Sequence, residues 1–108
     1  MKRRPIVWCG SNKDYDLSAA EVFGDVNIIY PDRPKNVFNT SSHAFHIKNT
    51  MADAQASDYI LVTGNLILVV LMFAVMFERF TYVNLLCYDL RSQEYVPRVV
   101  ARHHVQSN

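Results

Sequence analysis

Two short polar turns carry the residues best suited to hold a ligand, Gly10-Ser11-Asn12-Lys13 and Thr63-Gly64-Asn65. Each follows an apolar run. Their small side chains let a ligand approach the backbone, and their hydroxyl and amide groups can hydrogen-bond to it. The Lys13 ammonium would add a positive charge. The second turn opens onto a long apolar stretch that reads as a helix, whose free amides and dipole favour an anion. Asp32, Arg33, Asp89 and Arg91 stand at the ends of two further apolar runs and could reach the same place. The expected ligand residues are therefore Ser11, Asn12, Lys13, Thr63, Gly64, Asn65 and Arg91, and the expected ligand is a nucleotide or another small anion. Neither turn matches GxGxxG or GxxxxGK[ST], and no acidic residue stands at dinucleotide spacing behind a glycine-rich loop. The competing reading is structural: Gly64 permits a tight strand-to-helix turn, while Thr63 and Asn65 cap the helix.

Other chemistry is sparse. His43 and His46 are three apart, a spacing that can present two imidazoles to a metal with Asp53 further along, but no third ligand is placed and two surface histidines are expected. Cys9 and Cys87 are the only cysteines, both inside apolar runs, with no CxxC spacing. They read as reduced core thiols, since nothing nearby in sequence supplies a base for a nucleophile. No Ser/His/Asp set or carboxylate pair is recognisable. No catalytic residue, metal or cofactor is expected. Residues 36–42 form a polar loop with one aromatic, either a lid over a crevice or a simple connector.

The elements that would position these turns are legible in the hydropathy patterning. Residues 5–9, 26–30, 58–62, 81–88 and 94–100 read as five strands. Pro97 restricts the last of them to a sheet edge. Ser18 and Glu21 have capping-box spacing for a helix of barely two turns, with Leu17 and Val22 as its hydrophobic staple and Gly24 at its end. Ala44, Ile47, Met51 and Ala54 recur at helical intervals, predicting an amphipathic helix over 43–57 with Ser42 as N-cap. Residues 66–79 form a third helix with Asn65 as N-cap.

Strands alternating with helices argue for a mainly parallel sheet, and the short 89–93 connection can join only antiparallel neighbours. The prediction is a small three-layer, Rossmann-like α/β sheet of order 2-1-3-4-5 with an antiparallel edge strand. Right-handed crossovers put the short helix on one face and the two longer ones on the other. The strand order then reverses between strands one and three, where open α/β sheets bind ligands. There the two polar turns meet. The arrangement is similar to small Rossmann-like nucleotide-binding domains over the topology of residues 5–100, without a diagnostic motif.

The chain has 108 residues, half of them hydrophobic and 12% aromatic, enough for one core and too few for two. A single domain over 1–108 is expected, with 1–4 and 102–108 as flexible tails. The formal charge of +1 provides no field for nucleic acid or anionic lipid. A nucleic-acid surface built from Lys2, Arg3, Arg4, Arg98 and Arg102 is the weakest soluble alternative. Residues 59–77 hold no charge and as one helix would span about 28 Å, but the Thr63-Gly64-Asn65 turn leaves an uninterrupted piece of only about 18 Å. That is core-helix length. No secretion leader is visible, and a cytoplasmic protein is expected.

The third helix is apolar all round from Leu66 to Phe77, so its outward side also needs a partner. The short helix cannot cover a whole sheet face either. A homodimer is the economical answer. The functional expectation is a non-enzymatic module binding a small anion as a homodimer. Its compact, motif-poor chain resembles accessory proteins of phages and mobile elements. The alternative is a protein-interaction or inhibitor module that docks through its apolar helix or sheet face.

Overall fold

The computed structural model describes residues 3–11, 17–32, 36 and 38–105. It is an α/β fold. Five strands, β1 (Ile6–Ser11), β2 (Asp25–Tyr30), β3 (Tyr59–Val62), β4 (Tyr82–Asp89) and β5 (Glu94–Ala101), form one sheet of order β2-β1-β3-β4-β5. The first four are parallel, and β5 runs antiparallel to β4. Pro97 sits on that edge strand, where its missing N–H costs no ladder bond.

Helices α1 (Thr40–Thr50) and α2 (Leu66–Arg79) pack on one face of the sheet. Trp8, Ile47, Met51, Ile60, Leu68, Met72, Met76 and Val83 fill that core. The other face holds a smaller cluster of Val7, Cys9, Ala20, Leu61, Leu86 and Tyr95, covered by a 3-10 helix at Ser18–Val22. Consecutive strand residues go to opposite faces, and this is why β1 is buried on both sides.

Several local expectations need correction. The N-cap of the short helix is Leu17 and not Ser18, and Val22 is 80% exposed, so the Leu17 to Val22 staple does not form. Helix α1 starts three residues earlier than expected, because Asn39 and not Ser42 is the N-cap, its side chain accepting from the Ser42 amide at 3.2 Å. It also ends at Thr50, short of the expected 57. The second half of the supposed lid, residues 40–42, is thereby the first turn of α1. A four-residue helix, α3 (Arg102–Val105), continues β5 into the expected C-terminal tail. The charge-free run 59–77 divides into β3 and α2. Among the described residues no helix is long and apolar enough to cross a membrane.

Candidate functional site

Helix α2 and the end of β1 define the upper rim of the sheet. Gly10 lets them approach: a Cβ there would lie 3.0 Å from the Leu68 Cβ. Gly64 makes the turn from β3 into α2 with φ 79°, a left-handed conformation that costs glycine nothing. Asn65 then starts the helix, its Oδ1 accepting from the amides of Ile67 at 2.9 Å and Leu68 at 3.4 Å. Two of the first-turn donors that an anion could use are thus already engaged by the protein's own side chain.

Register brings part of the expected site together. Trp8 pairs with Ile60, so Ser11 at the end of β1 stands level with Thr63 after β3. Both are half-buried. Asn12, Lys13 and Arg33 lie outside the described residues. Arg91 is exposed in the β4 to β5 turn, where its amide donates to Asp89 Oδ1 at 2.9 Å. That places it two strands from β1, about 10 Å across the sheet. Beside that turn, Cys87, Tyr88, Asp89, Val96 and Arg98 line a shallow depression of about 310 Å³. It is displaced from the point where strand order reverses. Cys9 is buried, and burial pushes its thiol up, away from a reactive thiolate.

Two constellations escape sequence reasoning. His43, expected on the surface, is 5% exposed and is bonded at both ring nitrogens. The Tyr30 hydroxyl lies 2.7 Å from Nδ1 and the Asn36 carbonyl 2.9 Å from Nε2. A carbonyl can only accept, so Nε2 carries the proton and Nδ1 accepts from Tyr30. His46 lies tilted against the Tyr30 ring, with centroids 4.8 Å apart. The relay has the form of a nucleophile, a base and an orienting acceptor. Burial pushes the Tyr30 phenol up, and the two bonds to His43 tie β2, α1 and residue 36 together. No group of three or more His, Cys, Asp or Glu side chains that could hold a metal occurs among the described residues.

The second constellation centres on Asp58, fully buried at the lower rim. It accepts from both guanidinium nitrogens of Arg3, the indole of Trp8 and the amides of Ile6 and Gln55, all between 2.8 and 3.0 Å. Arg4 pairs with Asp25 at 2.8 Å, and Arg102 donates to the Phe77 carbonyl at 2.6 Å. Arg3 and Arg102, placed by sequence in solvated tails or a phosphate-binding surface, instead bond to the fold, while Arg4 and its partner Asp25 are exposed. The one signal that could have found the hub is the isolated aspartate directly before the apolar run 59–62.

The outward side of α2 is the most distinctive surface. Leu66 is 71% and Val70 62% exposed, and no polar residue intervenes before Glu78. Phe73 and Phe77, stacked 5.1 Å apart, flank them but are half-buried and packed against the core. Phe38, Phe45 and Leu90 are also largely exposed.

Residues 8–102 match the family described as phage Pam3 gp32-like protein. No match was found among curated proteins or among solved structures.

Proposed function

Since the chain belongs to the phage Pam3 gp32-like protein family, we propose that it is a non-enzymatic phage accessory protein that docks another polypeptide on the outward face of α2. The observation that carries this reading is the exposure of Leu66 and Val70 on a helix with no polar side chain from Leu66 to Phe77. An exposed, contiguous apolar face marks an interaction site in a water-soluble fold. Covering either side chain is worth about 1.5–3 kcal/mol. The sheet edge and the opposite face have less to offer, with Glu94, Pro97 and Arg98 along β5. The test is affinity capture from phage-infected cells with the wild-type chain and with Val70→Glu. Capture lost in a variant that keeps its circular dichroism spectrum and melting temperature supports docking. Identical capture by both proteins sinks it.

A second reading, binding of a nucleotide or other small anion, is favoured by the register that sets Ser11 level with Thr63 beside the Gly64 turn. The amides of Ile67 and Leu68 are held by Asn65, so such a ligand would rely on side chains of the two turns or displace the cap. Calorimetry and thermal shift against mono-, di- and cyclic nucleotides test it. Silence across that set removes it.

A further inference from the structure

We propose that the outer edge of β2 takes up a short extended segment of another polypeptide as an additional strand of the sheet. β2 ends the sheet on one side and has β1 as its single neighbour. In a parallel ladder every second residue turns both its N–H and its C=O to the same neighbour. The Asp25 amide donates to the Pro5 carbonyl at 2.9 Å, so Asp25, Asn27 and Ile29 serve β1. Val26, Ile28 and Tyr30 then turn their amides and carbonyls outward, and among the described residues no partner meets them.

The two edges of the sheet are not alike. β5 is blunted by Pro97 and the exposed Arg98, devices that keep an edge from pairing. β2 reads Asp-Val-Asn-Ile-Ile-Tyr, with no proline, glycine or basic residue, and its one charge, Asp25, is held by Arg4 at 2.8 Å. A regular strand of this composition is an aggregation hazard unless a partner covers it. Its outward amides and carbonyls, repeating at roughly 6.6 Å, match an extended backbone, which neither a helix nor a small anion presents. Exposed apolar side chains stand near both ends of the strand. Val22, 80% exposed, comes three residues before Asp25. Phe38, 79% exposed, lies two residues past Asn36, which the hydrogen bonds of His43 tie to Tyr30. The occupant that fits is an extended segment, uncharged where it pairs and apolar toward its ends. This edge is separate from the docking face, because α2 packs over β1, β3 and β4.

The test selects binders to the full chain from a displayed library of random linear peptides and measures each selected peptide by fluorescence anisotropy. N-methylation of every second peptide residue in one phase is expected to abolish binding, and in the other phase to leave it unchanged, because only one set of amides faces β2. Val26→Pro removes one outward donor and keeps the ladder to β1. It is expected to retain its circular dichroism spectrum and to weaken binding at least about 3-fold. Should Val26→Pro unfold, the N-methyl series on the wild-type chain decides alone. Val70→Glu is expected to bind as the wild type does, which separates this edge from the face of α2. A library that yields no binder overturns the proposal. So do peptides indifferent to the phase of N-methylation, and binding that is lost in Val70→Glu but kept in Val26→Pro. A wild-type chain that is dimeric by light scattering and becomes monomeric on Val26→Pro assigns the edge to a second copy and overturns it as well.

Discussion

The guanidinium of Arg3 grips the carboxylate of Asp58 through two hydrogen bonds, Nη1 to Oδ1 at 2.8 Å and Nη2 to Oδ2 at 2.9 Å. The pair joins the start of β1 to the start of β3. Because Asp58 is fully buried while the Arg3 side chain keeps 29% of its surface, the two partners are not equivalent. Removing Arg3 leaves a carboxylate still bonded to Trp8, Ile6 and Gln55. Removing Asp58 strands the buried Trp8 indole and two amides as well. Asp58→Ala is expected to cost about 3–5 kcal/mol, and Arg3→Ala roughly 1–3 kcal/mol. Urea unfolding of the two variants checks the order. Equal losses would show that the ion pair alone, without the other donors, matters.

The same site sets an acid limit. Burial pushes the Asp58 carboxyl up, but the bonds from Arg3, Gln55, Ile6 and Trp8 outweigh it and hold the group below its ordinary value of 3.8. In the unfolded chain it titrates near that ordinary value, so in the window beneath it the unfolded state binds the extra proton. The contribution of Asp58 is complete above the unfolded value and drains away as pH falls through the lower folded one. Wild-type stability should therefore drop steeply below about pH 4, and Asp58→Asn should flatten that part of the curve while lowering the plateau above it. An unchanged acid slope in Asp58→Asn would assign acid sensitivity to other carboxylates.

Strand order, the reversal point and the whole of α2 are legible in the sequence because each arises from local signals: apolar runs, an Asn cap, and a connection too short for a crossover. Features that depend on distant partners are not. His43 occupies an inward position of α1 usually filled by an aliphatic residue, so the apolar periodicity begins at Ala44 and hides the first turn. Its polarity is tolerated because Tyr30, 13 residues away, and the Asn36 carbonyl satisfy both nitrogens. Asp58 likewise looks like an ordinary strand-end charge, since its main partner Arg3 is 55 residues distant. Within the candidate site, Gly64 and Asn65 announce a turn and a cap, and both form.

The His43 assignment can be read directly. In the uncharged ring, nitrogen-15 NMR of the imidazole should show the proton on Nε2, with Nδ1 accepting. Tyr30→Phe removes the donor and leaves Nδ1 buried without one, at an expected cost of about 1–3 kcal/mol. A protonated Nδ1 in the neutral ring would contradict the relay.

Asn65 supports α2 through two amides, so Asn65→Ala should cost about 0.5–2 kcal/mol, and Asn65→Asp should retain most of that. The same pair separates the two functional readings. If an anion sits on the first turn, Asn65→Ala opens the amides of Ile67 and Leu68 and tightens phosphate binding, whereas Asn65→Asp repels it. Calorimetry with inorganic phosphate that finds no binding in either variant leaves Asn65 as a cap alone.

Two glycines provide a graded test of how the strands and helix close on one another. A Cβ on Gly24 would lie 2.2 Å from the Pro5 carbonyl oxygen and 2.8 Å from its carbon, both backbone atoms. Relief requires moving the β1 entry, and with it the Asp25 amide bond to Pro5 O at 2.9 Å. A Cβ on Gly10 would meet the Leu68 Cβ at 3.0 Å, a contact that α2 can ease by sliding a few tenths of an ångström. Overpacking of this kind costs roughly 1–3 kcal/mol. Gly24→Ala should sit at or above the top of that range and Gly10→Ala near its bottom. Chemical denaturation of the two variants measures the order, and a larger loss at Gly10 would mean that the seating of α2 on β1 is more rigid than the joint between β1 and β2.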